Sequence, residues 1–125
     1  MKNLVAALVL AGAALFGLTA CSTPAAPAAP SAISADAFVI DVRTPGEYAA
    51  GHLEGAMNID VQASDFDSQV SALPADGDYV VYCKSGNRSA AAAARLAELG
   101  FTSVTDAGAM SAAAVSTGLP VVTTP

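Results

Sequence analysis

Cys83 stands where an apolar run gives way to a loop, and its position limits what the chain can fold into. Residues 79–82 before it are valine and tyrosine, which predicts a strand buried on both faces. The loop leads into an alanine-rich helix predicted from Asn87 to Leu99. A thiol at such a junction faces unpaired backbone N–H groups and the positive end of the helix dipole, which favour its thiolate. We therefore interpret Cys83 as an anion-binding nucleophile, with a buried structural cysteine as the alternative.

Strand-like and helix-like patterns alternate along the rest of the domain. Such alternation predicts an α/β sandwich with a mainly parallel sheet. In sheets of this kind the site lies at the carboxyl ends of the strands, which is where Cys83 falls. The other predicted strands are Phe38–Val42, Met57–Ile59 and Phe101–Thr105, and the other predicted helices are a short turn from Pro45 with Thr44 as N-cap, a segment from Ser64 as N-cap to Leu73, and Met110–Val115.

The first 21 residues have the order of an export signal. A short positive start is followed by an apolar stretch at 4–16, too short for a comfortable membrane span, and then by Leu18-Thr19-Ala20-Cys21. This order resembles a bacterial lipobox, which implies cleavage before Cys21 and lipid on that cysteine. An uncleaved anchor helix and a soluble exported form are the alternatives. The resemblance predicts an exported lipoprotein of the bacterial cell envelope, anchored to the outer face of the plasma membrane or to the outer membrane.

The segment behind Cys21 predicts a tether. Residues 22–35 are dominated by alanine, proline and serine and lack hydrophobic periodicity, so they cannot bury enough surface to fold. We therefore predict a signal peptide at 1–20, a lipidated cysteine and tether at 21–35, and one small domain at 36–123.

Cysteine count and charge narrow the chemistry further. The chain has two cysteines, so lipid on Cys21 leaves Cys83 with no partner for an internal disulfide. A net charge of −6 provides no basic surface for nucleic acid or anionic lipid headgroups, so membrane attachment must come from the lipid. No zinc-type cysteine and histidine spacing is present in the sequence, and we predict no cofactor or metal.

Three segments of the domain, at 41–48, 51–59 and 81–89, have the order and spacing of a known family's motifs. Together they resemble the rhodanese family, and in particular its minimal exported single-domain thiosulfate sulfurtransferases. The resemblance implies a rhodanese-like three-layer α/β/α sandwich. The chain departs from the family pattern at Ala109, where a second glycine is common, and in having no tryptophan. Both departures affect the expected shape of the pocket wall and not the catalytic loop.

The resemblance also implies sulfur transfer. Cys83 would take the outer sulfur of thiosulfate or a related small anionic donor, hold it as a persulfide, and pass it to cyanide or a thiol. A protein acceptor of sulfur stays open. In the loop, Arg88 suits bidentate contact with the donor's oxygens, and backbone N–H groups can form an anion-binding concavity. The residues expected to bind the donor are Lys84, Ser85, Gly86, Asn87, Arg88 and Ser89.

Three polar residues outside the loop are expected to support the site. Asp41 and Arg43 follow a predicted buried strand and can order the mouth of the site by hydrogen bonding and charge pairing. His52 lies in a Gly-His turn, where a capping or packing role is favoured over that of a general base.

Two other functions are alternatives to catalytic sulfur transfer. A cysteine phosphatase or arsenate reductase also uses a cysteine loop with an arginine, but here the arginine is the fifth residue after Cys83, one short of the phosphate loop. A persulfide carrier or partner-binding module is the second alternative, and turnover with small donors would distinguish it.

Overall fold

The computed structural model of the protein describes residues 33–123. Within that range the protein has four helices and six strands, and the four helices and four of the strands correspond to predicted elements. In chain order they are β1 (Phe38–Asp41), α1 (Pro45–Ala50), β2 (His52–Leu53), β3 (Met57–Asn58), α2 (Phe66–Ser71), β4 (Asp78–Cys83), α3 (Asn87–Glu98), β5 (Ser103–Ala109), α4 (Met110–Thr117) and β6 (Val121–Val122).

The main sheet is parallel throughout and has the strand order β3-β1-β4-β5. Its central strand β4 pairs with β1 on one side and β5 on the other, and Cys83 is its last residue. The predicted parallel sheet is confirmed. The carboxyl ends of its strands meet along the edge where Cys83 lies, because parallel strands all run the same way.

Helices cover both faces of this sheet. Side chains of β4 alternate between the faces, so Val81 and Cys83 join one core cluster while Val80 and Tyr82 join the other. The first cluster includes side chains of α2 and α3, and the second includes side chains of α1 and α4. The α/β/α layering is therefore confirmed, and the strand Tyr79–Tyr82 is buried on both faces as predicted.

Several element boundaries differ from prediction. The largest difference is at β5, which runs on to Ala109 instead of ending at Thr105, and local hydrogen bonds explain two others. Asp65, not Ser64, is the N-cap of α2, because residues 63–66 first form a turn in which the Phe66 N–H donates to the Ala63 carbonyl. Strand β5 begins at Ser103 and not at Phe101. The chain reverses at Gly100, in a left-handed conformation with φ +96°, and the Phe101 N–H still donates to the Leu96 carbonyl of α3.

A second, two-stranded sheet was not predicted. Strand β2 pairs antiparallel with β6, matching His52 with Val122 and Leu53 with Val121. The two residues of each of these strands are too few to show a strand periodicity in the sequence.

The predicted signal peptide, Cys21 as the predicted site of lipidation, and most of the predicted tether lie outside the described residues. Ile33, at the end of the predicted tether, packs against the core cluster of Val80 and Tyr82. Among residues 33–123, none of the helices has the length and apolar character needed to cross a membrane.

Candidate functional site

Cys83 ends β4 and lies beside Ala109 of β5, the last pair of residues in the β4–β5 register. Its side chain is fully buried and belongs to no disulfide. Ala109 has φ −68°, an extended conformation open to any residue, so the alanine at the position where a glycine was expected is accommodated without strain.

Gly86 curves the loop back over the sulfur. It has φ +100°, in the left-handed region, and its N–H donates to Cys83 Sγ at 2.9 Å. A Cβ at this position would make only ordinary contacts, the nearest at 3.7 Å to the Gly108 backbone. Glycine is thus required here by the backbone conformation rather than by space.

Ser89, in the first turn of α3, is buried beside the sulfur. Its Oγ lies 3.5 Å from Cys83 Sγ and donates to the Gly86 carbonyl at 3.0 Å. A hydroxyl proton can rotate between acceptors, so the same group can donate to the sulfur once the thiol ionises.

The environment of Cys83 favours its thiolate. Burial acts to raise the pKa of the thiol, but hydrogen bonds from the Ser89 hydroxyl and from the backbone N–H groups of residues 85, 86 and 89 outweigh it. The pKa of Cys83 therefore lies below its ordinary value. A larger fraction of the sulfur is thus in its nucleophilic form near neutral pH.

Replacing Ser89 by alanine is expected to raise the pKa of Cys83, because one hydrogen bond to the charged form is lost. The thiolate then forms only at higher pH, so the pH profile of Cys83 alkylation should move upward. Ser85→Ala is the matched control, since its hydroxyl is exposed in the same loop and its backbone N–H is retained. Equal profiles for the two variants would contradict this role of Ser89.

Arg88 is already paired within the protein. Its Nη1 and Nη2 donate to the Glu47 carboxylate at 2.7 and 2.9 Å. These hydrogen bonds, against a smaller opposing effect of burial, lower the pKa of Glu47 to about 2. The Glu47 carboxylate is therefore ionised at neutral pH. Its negative charge balances much of the positive charge that Arg88 was predicted to present to a donor.

The remaining loop residues are open to solvent. Lys84, Ser85 and Asn87 are all exposed. Lys84 forms none of the ion pairs found among residues 33–123. Of the six loop residues expected to bind a donor, the structure thus leaves three exposed, places Gly86 and Ser89 against the sulfur, and pairs Arg88 with Glu47.

Asp41 and Arg43 form a buried ion pair on the other face of the sheet. Arg43 Nε donates to Asp41 Oδ1 at 2.9 Å. Arg43 Nη2 donates to Asp41 Oδ2 and to the main-chain carbonyl oxygen of Gly51, at 2.6 Å each. The Tyr82 hydroxyl also donates to Asp41 Oδ2, at 2.8 Å, and accepts from the Leu53 N–H at 2.9 Å. Because Tyr82 and Cys83 point to opposite faces, this network supports the strand ends and does not contact the sulfur.

His52 is buried beside the same network. Its ring stacks on Tyr48 with centroids 3.7 Å apart, and its Nδ1 lies 2.8 Å from the Tyr48 carbonyl oxygen. This is the packing arrangement favoured from the sequence, and the structure does not bring His52 together with Cys83.

Comparison with known proteins identifies the family. The family model described as Rhodanese-like domain matches residues 27–108, more than half of the chain. The chain belongs to the rhodanese family. Its three motifs correspond to the first strand and helix, to the segment around β2 and β3, and to the loop between β4 and α3.

Several relatives of this rhodanese domain are named as sulfurtransferases. A sulfurtransferase of Allochromatium vinosum is 34% identical over 70% of this chain and 79% of that protein. The thiosulfate sulfurtransferase GlpE of Pseudomonas fluorescens is 42% identical over 54% of this chain and 61% of that protein. The thiosulfate sulfurtransferase PspE of Escherichia coli is 39% identical over 57% of this chain and 68% of that protein. These relatives support sulfur transfer as the general activity.

Solved rhodanese structures share the fold. A structure titled rhodanese with anions from E. coli has a TM-score of 0.59 and 31% identity, covering 70% of this chain and 98% of that one. A rhodanese-related protein from Thermoplasma volcanium has a TM-score of 0.57 and 35% identity, covering 68% of this chain and 82% of that one.

Sequence reasoning missed Glu47 and Tyr82 as parts of this rhodanese site. Glu47 follows the helix N-cap Thr44 by three residues, the spacing of a capping box, and this was the available signal. No local pattern indicates that its carboxylate also pairs with Arg88, which is 41 residues away.

Proposed function

We propose that the protein transfers a sulfane sulfur from thiosulfate or a related small donor to a thiol or cyanide through a persulfide on Cys83. The observation that carries this proposal is the environment of the Cys83 sulfur. Cys83 Sγ lies within hydrogen-bond distance of the Gly86 N–H and of Ser89 Oγ, and these groups favour its ionised form. The sulfurtransferase relatives give the same reaction class.

The reaction proceeds in two displacements at sulfur. The Cys83 thiolate attacks the outer sulfur of thiosulfate, forming a new S–S bond, and the bond to the sulfonate sulfur breaks as sulfite leaves with the electron pair. The acceptor thiolate or cyanide then attacks the outer sulfur of the persulfide. Cys83 leaves again as thiolate, so the enzyme returns to its starting state without a cofactor.

The loop supplies the environment for both displacements. The N–H of Gly86 and the hydroxyl of Ser89 stabilise negative charge on Cys83 whenever it is the leaving group or the nucleophile. Exposed Lys84, Ser85 and Asn87 are available to a donor at the surface of the loop, and Lys84 attracts its negative charge. Arg88 contributes through N–H groups that Glu47 does not occupy.

Parallel assays with sulfur and phosphate substrates test this function. The full chain should convert thiosulfate and cyanide to thiocyanate and sulfite and should not hydrolyse an aryl phosphate, because the loop is too short to enclose a phosphate. Phosphate hydrolysis without sulfur transfer would make the phosphatase alternative correct. A persulfide on Cys83 that small acceptors do not discharge would instead indicate a carrier for a protein acceptor.

We also propose that the protein is anchored to the cell envelope through lipid on Cys21. The support for this is the order of residues 18–21 behind a short apolar stretch. Cys21→Ser is expected to abolish processing and to release the protein from membranes, since the acceptor of lipid is lost. Detergent phase partitioning and the mass of the mature chain measure this. Unchanged processing and partitioning would show that the anchor proposal is wrong.

A further inference from the structure

Glu47 lies in the first turn of α1, and its side chain pairs with Arg88, whose charge it balances. The two side chains are 28% and 23% exposed and are joined by two hydrogen bonds in a fork-to-fork arrangement. Partial burial makes the pair stronger than one in free solvent, and the planar geometry fixes where the guanidinium points.

Thr44 holds Glu47 from the other side. The backbone N–H and the hydroxyl of Thr44 donate to Glu47 Oε2 at 3.1 and 3.0 Å, and the Glu47 N–H donates to Thr44 Oγ1 at 3.3 Å. This capping box anchors the carboxylate to the start of α1. Glu47 is therefore a fixed negative charge rather than a mobile surface side chain.

The positive charge of Arg88 is consequently offset by Glu47. Hydrogen bonds to Glu47 raise the pKa of Arg88 most, against the opposing effect of burial. The nearby charges of Glu47, Cys83 and Asp60 raise it further. Of the two basic residues of the loop, Arg88 is paired with Glu47, whereas Lys84 forms none of the ion pairs found among residues 33–123.

We propose that Glu47 determines the donor specificity of this site by acting through Arg88. By balancing the guanidinium, it weakens the attraction of the loop for a dianion such as thiosulfate relative to a donor with one negative charge or none. The donor class that fits this balance is the persulfide of a small thiol. The inference rests on the proposed sulfur transfer and specifies its donor. In that reaction the Cys83 thiolate attacks the outer sulfur of R–S–SH, the S–S bond breaks, R–S⁻ leaves, and the proton stays on the new Cys83 persulfide.

Competing alkylation of Cys83 tests the charge balance without any sulfur donor. Iodoacetamide is neutral and iodoacetate is an anion, so the ratio of their rates at Cys83 measures the local attraction for negative charge. Glu47→Gln keeps the shape and the capping hydrogen bond to Thr44 but removes the charge. The iodoacetate-to-iodoacetamide ratio of the full chain should rise by roughly threefold to tenfold in this variant. Mass spectrometry of the peptide carrying Cys83 distinguishes it from Cys21.

Two variants control for structural effects. Glu98→Gln removes a carboxylate paired with Arg95 at the opposite end of α3, and it should leave the ratio unchanged. Glu47→Asp retains the charge at the same position and should restore the ratio toward wild type. An unchanged ratio in Glu47→Gln, or the same rise in Glu47→Asp and Glu98→Gln, would overturn the proposal.

Thiolate absorbance gives a readout that does not depend on access to the buried sulfur. With Cys83→Ser as the blank, Glu47→Gln should lower the pKa of Cys83, because the uncompensated Arg88 then stabilises the thiolate. An unchanged pKa of Cys83 in Glu47→Gln would overturn the proposal in the same way as an unchanged alkylation ratio.

Donor kinetics complete the experiment. The preference for thiosulfate over the persulfide of 2-mercaptoethanol, which carries at most one negative charge, is measured as the ratio of kcat/KM values. It should rise in Glu47→Gln by roughly the same threefold to tenfold, while Glu98→Gln keeps the wild-type ratio. Absence of transfer from both donors in the wild-type chain would refute the proposed function, whereas alkylation and titration would still decide the role of Glu47. An equal preference in wild type and Glu47→Gln, with transfer intact, would refute the specificity role alone.

Discussion

Cys83→Ser is expected to abolish sulfur transfer, with a loss of roughly a thousandfold or more in turnover. A serine hydroxyl at this position can still accept the Gly86 N–H, but it stays protonated near neutral pH and is a poor nucleophile without an adjacent base. His52, the one histidine of the chain, is stacked on Tyr48 and is not beside the loop. The substituted hydroxyl therefore has no histidine beside it to act as its base.

Mass spectrometry after incubation with a sulfur donor measures the covalent step directly. The wild-type peptide that carries Cys83 should gain one sulfur atom, and this gain should disappear when an acceptor thiol is added. The Cys83→Ser chain should show no gain at that peptide, and its thermal unfolding should match wild type because the substitution is nearly isosteric. Undiminished turnover in this variant would assign the persulfide to another group.

The catalytic strand and helix could be predicted from the sequence because local patterns specify them. The apolar run before Cys83 and the alanine-rich segment behind it are long enough to show their period, and the structure confirms both as β4 and α3. The capping of α1 by Thr44 was equally predictable, since proline follows it directly and Glu47 lies three residues on.

The features that escaped prediction depend on contacts between distant residues. The β2–β6 sheet joins residues about 70 positions apart by short backbone pairing, which leaves no local signal. Arg88 was expected to be open to a donor, and its pairing with Glu47 exists only because the fold brings α1 beside the start of α3. The side chains around Cys83 were predictable by type, but their charge balance required the tertiary structure.

Arg43→Met is expected to destabilise the protein by about 3–5 kcal/mol, the cost of leaving a buried carboxylate without its partner. Asp41 is fully buried, and Arg43 is 6% exposed at its side chain. Without the guanidinium, Asp41 accepts hydrogen bonds only from the Tyr82 hydroxyl and from the backbone N–H of residue 43. The Gly51 carbonyl also loses the hydrogen bond that it accepts from Arg43. Urea unfolding followed by circular dichroism measures the free energy of unfolding.

Arg95→Met is the matched control for this prediction. Arg95 pairs with Asp67 and Glu98, but all three side chains are substantially exposed, so its loss should cost far less stability than the loss of Arg43. If the two substitutions lower the free energy of unfolding equally, burial does not govern the strength of the Asp41–Arg43 pair.

The double variant Asp41→Asn/Arg43→Met separates charge from packing. It should recover part of the stability lost in Arg43→Met, because no ionised carboxylate then stays buried while the Tyr82 hydroxyl keeps an acceptor. Since Tyr82 directly precedes Cys83, a network that fails in Arg43→Met should also loosen the strand end that positions the sulfur.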